Sequence, residues 1–174
     1  MQNIFSAIQE ELPVAFAVAQ HMPPDFTRAF AERLNRFSAL TIREAETGDI
    51  VKPGQVLIAP GGKNLEFFSQ DDKIIATVSD PQDHQRYLPS VDKLFASAAE
   101  LFGDRVLGVV LTGMGNDGAM GTREIKTAGG SVFAEAEESC VVFGMPKEAI
   151  ATGLVERIVP LPQVCKEILQ YCGY

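Results

Sequence analysis

One histidine and one aspartate stand where an α/β protein keeps its chemistry. His21 follows the short apolar run Val14–Ala19, and Asp117 lies in Gly113-Met114-Gly115-Asn116-Asp117-Gly118, directly after the apolar run Val106–Leu111. Runs of this length and evenness read as strands of a parallel sheet covered on both faces. In such sheets ligands bind beyond the carboxyl ends of the strands, so Gln20-His21 and Thr112–Asp117 mark the expected site. An imidazole moves protons near neutral pH, and a fixed carboxylate can hold its tautomer. The pair has the makings of the base and orienting acid of a nucleophilic hydrolase.

Residue spacing leaves two other readings open. Gly113, Gly115 and Gly118 match G-x-G-x-x-G between a strand and a helix, and Glu135 at the end of the next strand could serve as a ribose-binding acid. Against that dinucleotide module, the Asp117 carboxylate would repel a pyrophosphate at the helix N-terminus. The plainer reading makes Asp117 a helix N-cap and His21 a capped residue at a strand end.

The rest of the chain narrows the classes. The protein has 174 residues, 46% of them hydrophobic, and a mean hydropathy of +0.06, which suits one globular domain. A net charge of −8 disfavours nucleic acid as a partner. No apolar run approaches the roughly 20 residues needed to span a bilayer, and no signal-peptide pattern opens the chain. Cys140, Cys165 and Cys172 lack C-x-x-C spacing, and His21 and His84 are the only histidines, so no metal or cofactor is expected. Reduced thiols point to the cytoplasm.

The periodicity predicts a first helix over residues 2–12 with Ile4, Ile8 and Leu12 on its buried stripe. A second helix opens at Pro23-Pro24, with Phe26, Phe30, Leu34 and Phe37 buried and Arg28, Glu32 and Arg36 paired along its outer face. Strands follow at 56–59, 65–69 and 73–78, the last two as an antiparallel edge hairpin. Then come a helix after Pro89-Ser90, a strand at 106–111, a helix to about residue 128, a strand at 131–134, and helices at 146–152 and 164–171. This alternation predicts a doubly wound, three-layer α/β sandwich whose sheet is mostly parallel.

Longer motifs carry a resemblance. QHMPPDFTRAFAERL (20–34), IAPGGKNLEF (58–67), PSVDKLF (89–95), GVVLTGMGNDGAMG (108–121) and SCVVFGMPKEAI (139–150) resemble, in order, the catalytic domain of the CheB-type chemotaxis protein-glutamate methylesterases. The resemblance implies hydrolysis of glutamyl γ-methyl esters on chemoreceptor signalling domains, with methanol release, and glutamine deamidation beside it. It makes His21 the catalytic histidine, Asp117 the triad aspartate, and the backbone N–H of Met114 an oxyanion donor. The implied partners are methyl-accepting chemotaxis receptors, without membrane insertion.

Departures from the family pattern matter as much. The family's nucleophile lies in a G-x-S-T-G-G loop after a first strand, and no G-x-S-x-G occurs in these residues. Ser6, Ser90 and Ser139 read as structural or capping hydroxyls. The expectation is therefore a single catalytic domain, truncated at its N-terminus and impaired alone. A non-catalytic receptor-binding relative is the alternative. The missing strand should leave sheet edges unpaired. The family's receiver domain is also lacking, so control by phosphorylation would come from a separate receiver protein. Asn64 replaces a usual histidine, Glu135-Ala136 a usual Gln-Asp, and Leu88 a usual basic residue.

Overall fold

A computed structural model describes residues 1–10 and 12–174, in two compact units, Met1–Ser90 and Val91–Tyr174. In the first unit, α1 (Gln2–Phe5) is followed by β1 (Phe16–Val18), α2 (Phe26–Asn35), β2 (Thr41–Glu44), β3 (Gln55–Ile58), β4 (Asn64–Gln70) and β5 (Lys73–Ser79). The parallel sheet runs β1-β3-β2, with Phe16 and Ile42 both in register with Val56. β3 is the central strand, and Val56, Leu57 and Ile58 are buried. The hairpin β4-β5 is antiparallel as expected, but it forms its own two-stranded sheet. Its two-residue turn sets Asp71 and Asp72 at φ 48° and 59°, a left-handed pair that aspartate tolerates in a tight hairpin.

Two sequence expectations fail here. The first helix is a single turn, not residues 2–12, and Glu11 lies outside the described residues. The Ile8 carbonyl accepts the Ala39 N–H at 3.3 Å, so it serves a neighbouring segment and not the next helical turn. Ile4, Ile8 and Leu12 are buried all the same, and the apolar spacing survives without the helix. In α2 the buried line is Thr27, Ala31 and Leu34, while Phe26 is 61% and Phe37 53% exposed. Small residues let the helix sit close on the sheet, where Thr27 bonds to Glu44. Arg28 pairs with Glu44 as well, not along its own helix.

In the second unit, α3 (Val91–Phe102), β6 (Leu107–Val110), α4 (Ala119–Thr127), β7 (Ser131–Glu135), α5 (Gly144–Ala151), β8 (Arg157–Val159) and α6 (Leu161–Tyr171) follow in order. The sheet β6-β7-β8 is parallel throughout, and every residue of the central β7 is buried. α5 and α6 begin two or three residues earlier than expected, because a proline is tolerated in a helix's first turn, where no N–H has an intrahelical acceptor. α3 crosses α4 closely at Gly121, where a Cβ would lie 2.5 Å from Phe95 Cβ. Among the described residues the structure is thus α/β, with two parallel sheets and one antiparallel pair. β2 and β8 had no counterpart in the sequence reading. Both are edge strands of only four and three residues, each with a single buried position, too short to show a period. Within their units β1 and β6 also have one ladder neighbour each.

Candidate active site

β1 delivers the chain to His21. The Val18 carbonyl is bonded by the Ala59 N–H at 2.8 Å, and the chain then leaves the sheet at the carboxyl end of the strand. The Pro60-Gly61-Gly62 turn after β3 backs the segment that follows His21. A Cβ on Gly61 would lie 2.2 Å from the Pro23 carbonyl oxygen, so this close approach requires glycine. The Gly61 N–H donates to Thr27 Oγ1 at 2.9 Å, and that hydroxyl donates to Glu44 Oε1 at 2.6 Å, which anchors the start of α2 to the sheet. The His21 ring is half-buried and stacks on Tyr87, centroids 5.5 Å apart and planes 15° from parallel.

Asp117 and Met114 share one loop of the second unit, beyond the carboxyl end of β6. The loop is clasped to the segment before α5. Thr112 Oγ1 donates to the Val142 carbonyl at 3.1 Å and accepts the Val142 N–H at 2.9 Å, and the Gly113 N–H donates to the same carbonyl at 3.0 Å. Gly113 packs so tightly that a Cβ would meet Met145 Sδ at 2.3 Å. The Met114 side chain is 80% exposed.

Asp117 is 1% exposed, and its carboxylate is met by the open end of α3. Oδ2 accepts the Val91 N–H at 2.8 Å and Oδ1 the Asp92 N–H at 2.9 Å. The N-cap expectation is thus corrected in detail: Asp117 caps α3, whereas the residue at the N-cap of its own helix α4 is Gly118. α4 is served in return by Asp92, whose Oδ1 accepts the Gly118 N–H at 2.9 Å and the Gly121 N–H at 2.7 Å. Two helix N-termini are therefore capped by each other's carboxylates. Burial pushes the Asp92 carboxyl above its ordinary value, and the charge of Asp117 adds to that push against the pull of the N–H groups. Sequence reasoning missed Asp92 and Tyr87, because reciprocal caps and ring stacks join residues far apart in the chain.

This arrangement removes the footing of the dinucleotide reading. A pyrophosphate would need the N–H groups at the start of α4, and Asp92 holds two of them. Glu135 is fully buried, with Oε2 accepting the Thr112 N–H at 2.8 Å and Oε1 the Ser139 hydroxyl at 2.9 Å. Its carboxylate is committed to the fold and faces no ribose. Ser139 also accepts the Leu161 N–H at 2.9 Å, a structural part that matches the expectation for it. Burial, reinforced by the Glu135 charge, pushes the Cys140 thiol up to about 11.

Residues 1–168 match the family model described as CheB methylesterase. The sequence is 56% identical over 173 residues to the protein-glutamate methylesterase/protein-glutamine glutaminase 3 of Geobacter sulfurreducens, covering 99% of this chain and 47% of the relative. It is 47% identical over 164 residues to the corresponding protein 1 of Myxococcus xanthus, covering 94% and 48%. The crystal structure of the Thermotoga maritima CheB methylesterase catalytic domain superposes with a TM-score of 0.93 at 38% identity, covering 98% of this chain and 90% of that one. The chain spans about half the length of the curated relatives it matches.

Proposed function

The chain belongs to the CheB methylesterase family, and on that premise we propose that it supplies the base, the orienting acid and one oxyanion donor for hydrolysis of glutamyl γ-methyl esters. The substrates are the helical signalling domains of methyl-accepting chemotaxis receptors, in the cytoplasm. His21 takes the proton of a serine nucleophile as its oxygen attacks the ester carbonyl. The Met114 N–H steadies the charge that develops on the carbonyl oxygen. The imidazolium then returns the proton to the leaving methoxide, methanol departs, and a water activated by His21 cleaves the acyl-enzyme. Asp117 keeps the imidazole in the tautomer that can accept from serine. The same steps with ammonia as leaving group deamidate glutamine, the second activity in the relatives' names.

The observation that carries this reading is the position of His21 and Asp117 just past the carboxyl ends of parallel strands, with the Asp117 side chain buried and met by two backbone N–H donors. The nucleophile comes from a G-x-S-T-G-G loop, which these 174 residues do not contain. The test is methanol release from methylated receptor by two proteins: residues 1–174 alone, and the same residues preceded by a strand and that loop. Loss of the nucleophile in serine hydrolases lowers kcat by on the order of 10⁶, and a difference of that size is expected. Comparable turnover by the two would exclude the assignment. The added strand should also extend the ladder at β1, so the longer protein should melt higher in denaturant.

A further inference from the structure

The loop between β5 and α3 is polar and irregular, yet it presents one aromatic ring flat against the proposed base. His21 and Tyr87 stack at 5.5 Å and 15°. An irregular loop holds a ring only if its backbone is held, and here the anchor is Asn64. Asn64 opens β4 and is fully buried. Its amide and that of Gln85 exchange two hydrogen bonds: Asn64 Nδ2 donates to Gln85 Oε1 at 2.9 Å, and Gln85 Nε2 donates to Asn64 Oδ1 at 2.7 Å. The second hydrogen on Gln85 Nε2 goes to the Tyr87 carbonyl at 2.8 Å. Asn64 Oδ1 also accepts the Ser90 N–H at 3.3 Å, so the clasp grips the loop on both sides of Tyr87. The Arg86 guanidinium lies 5.0 Å from the Tyr87 ring centroid, a cation–π contact that further limits the ring.

We infer that Tyr87 is a positioning residue for His21, with the Asn64–Gln85 clasp as its mount. The catalytic consequence rests on the proposed function; the geometric one does not. Asn64 and Gln85 are neutral amides with no acid–base role of their own, and they act by fixing where the ring stands. The ring in turn limits rotation of the imidazole about its side-chain bonds. A base that loses its alignment by about 1 Å can cost roughly 10²-fold in rate.

The experiment has two readouts. In the 174-residue chain, proton NMR of the His21 ring reports the stack through the ring current of Tyr87. Tyr87→Phe should keep the upfield shift, Tyr87→Leu should abolish it, and Gln85→Ala should reduce it. In the protein carrying the serine loop, Tyr87→Leu should lower kcat by about 10- to 100-fold with KM within about twofold, and Tyr87→Phe should stay within about twofold of the parent. An unchanged His21 shift in Tyr87→Leu would overturn the inference. So would an unchanged kcat in a protein where the stack has been lost but His21→Ala is inactive. If His21→Ala itself leaves turnover intact, the functional reading fails while the NMR arm still decides the positioning. Gln85→Ala retains the ring and tests the mount even if Tyr87→Leu does not fold.

Discussion

His21 and Asp117 are held in opposite ways. His21 is half-buried and rests against an aromatic face. Asp117 is sealed from water and receives two backbone N–H groups from a helix end. The contrast suits the two jobs. In the proposed mechanism the base moves a proton at each turnover, and a stacked ring can hold the orientation of the imidazole through that cycle. An orienting acid must stay ionised and still, and N–H donors at a helix N-terminus stabilise a carboxylate in place. In the proposed mechanism Asp117 is therefore a part of the fold as well as of the chemistry, while His21 serves chiefly the chemistry.

The largest effect that should divide them is on turnover and stability together. In the protein carrying the serine loop, His21→Ala should reduce kcat by on the order of 10⁶. Asp117→Asn should reduce it by roughly 10⁴. Denaturant melts should then rank the two the other way round. His21→Ala should leave the midpoint nearly unchanged. Asp117→Asn turns an amide NH₂ toward an α3 N–H, and an unsatisfied buried donor costs about 1–3 kcal/mol. Equal losses of stability would erase the distinction between the two residues.

Much of this division was legible in the sequence, and the illegible part has one cause. The loop and strand around each residue, the hairpin and the α3–β6–α4–β7 run follow from local periodicity and turn residues, and they stand as read. Interactions between distant segments do not announce themselves. α2 turns Phe26 outward while Thr27 finds Glu44 and Gly61, Phe37 lies exposed beyond its end, and no helical wheel contains that information. The run 2–12 has the right stripe for a helix, yet Ile8 is bonded to Ala39 instead. At the site, the candidate residues His21, Met114 and Asp117 came from motif and resemblance. Their supports, Asn64, Gln85, Tyr87 and Asp92, are defined only by partners tens of positions away. Asn64 is a departure from the family pattern in the sequence; in the fold it is the buried anchor of a loop.

A second contrast lies within the second unit. Asp117 is buried among donors, whereas Cys140 is half-buried beside the acceptor Glu135. At Cys140 desolvation is reinforced by the Glu135 charge, and the thiol is pushed from 9.0 up to about 11. At pH 8 its thiolate fraction should be about 100-fold below that of a thiol with a pKa of 9.0, and the thiolate is the nucleophile. Iodoacetamide should therefore modify Cys140 about that much more slowly than a free cysteine peptide, as followed by mass spectrometry. Alkylation at the peptide's rate would mean that Glu135 does not reach it. The linkage has a definite sign. A thiol pKa raised on folding contributes stability that is present below 9.0 and lost as pH climbs toward about 11.

The smallest effect separates the two carboxylates that cap each other's helices. Asp92 is the less buried of the pair and takes its bonds at α4, but burial and the charge of Asp117 push its carboxyl upward. Its ionised form is therefore strained by a like charge even while it caps. Asp92→Asn keeps an acceptor oxygen for the Gly118 and Gly121 N–H groups and removes the repulsion, so at neutral pH it should be neutral to slightly stabilising. Asp92→Ala removes the cap and should cost about 1 kcal/mol, roughly 5-fold in the folding constant. The pH dependence tells them apart. A carboxyl pKa raised on folding gives stability that is full below the unfolded value, 3.8, and is lost as pH rises through the folded value. The parent should therefore lose ground to Asp92→Asn as pH is raised through the region just above the ordinary carboxylate range, with the gap constant thereafter. Chemical melts of the two proteins across that range measure the gap directly. A gap that narrows with rising pH would mean that the Asp92 charge is welcomed by the α4 terminus more than it is opposed by Asp117, and the two caps would then be equivalent.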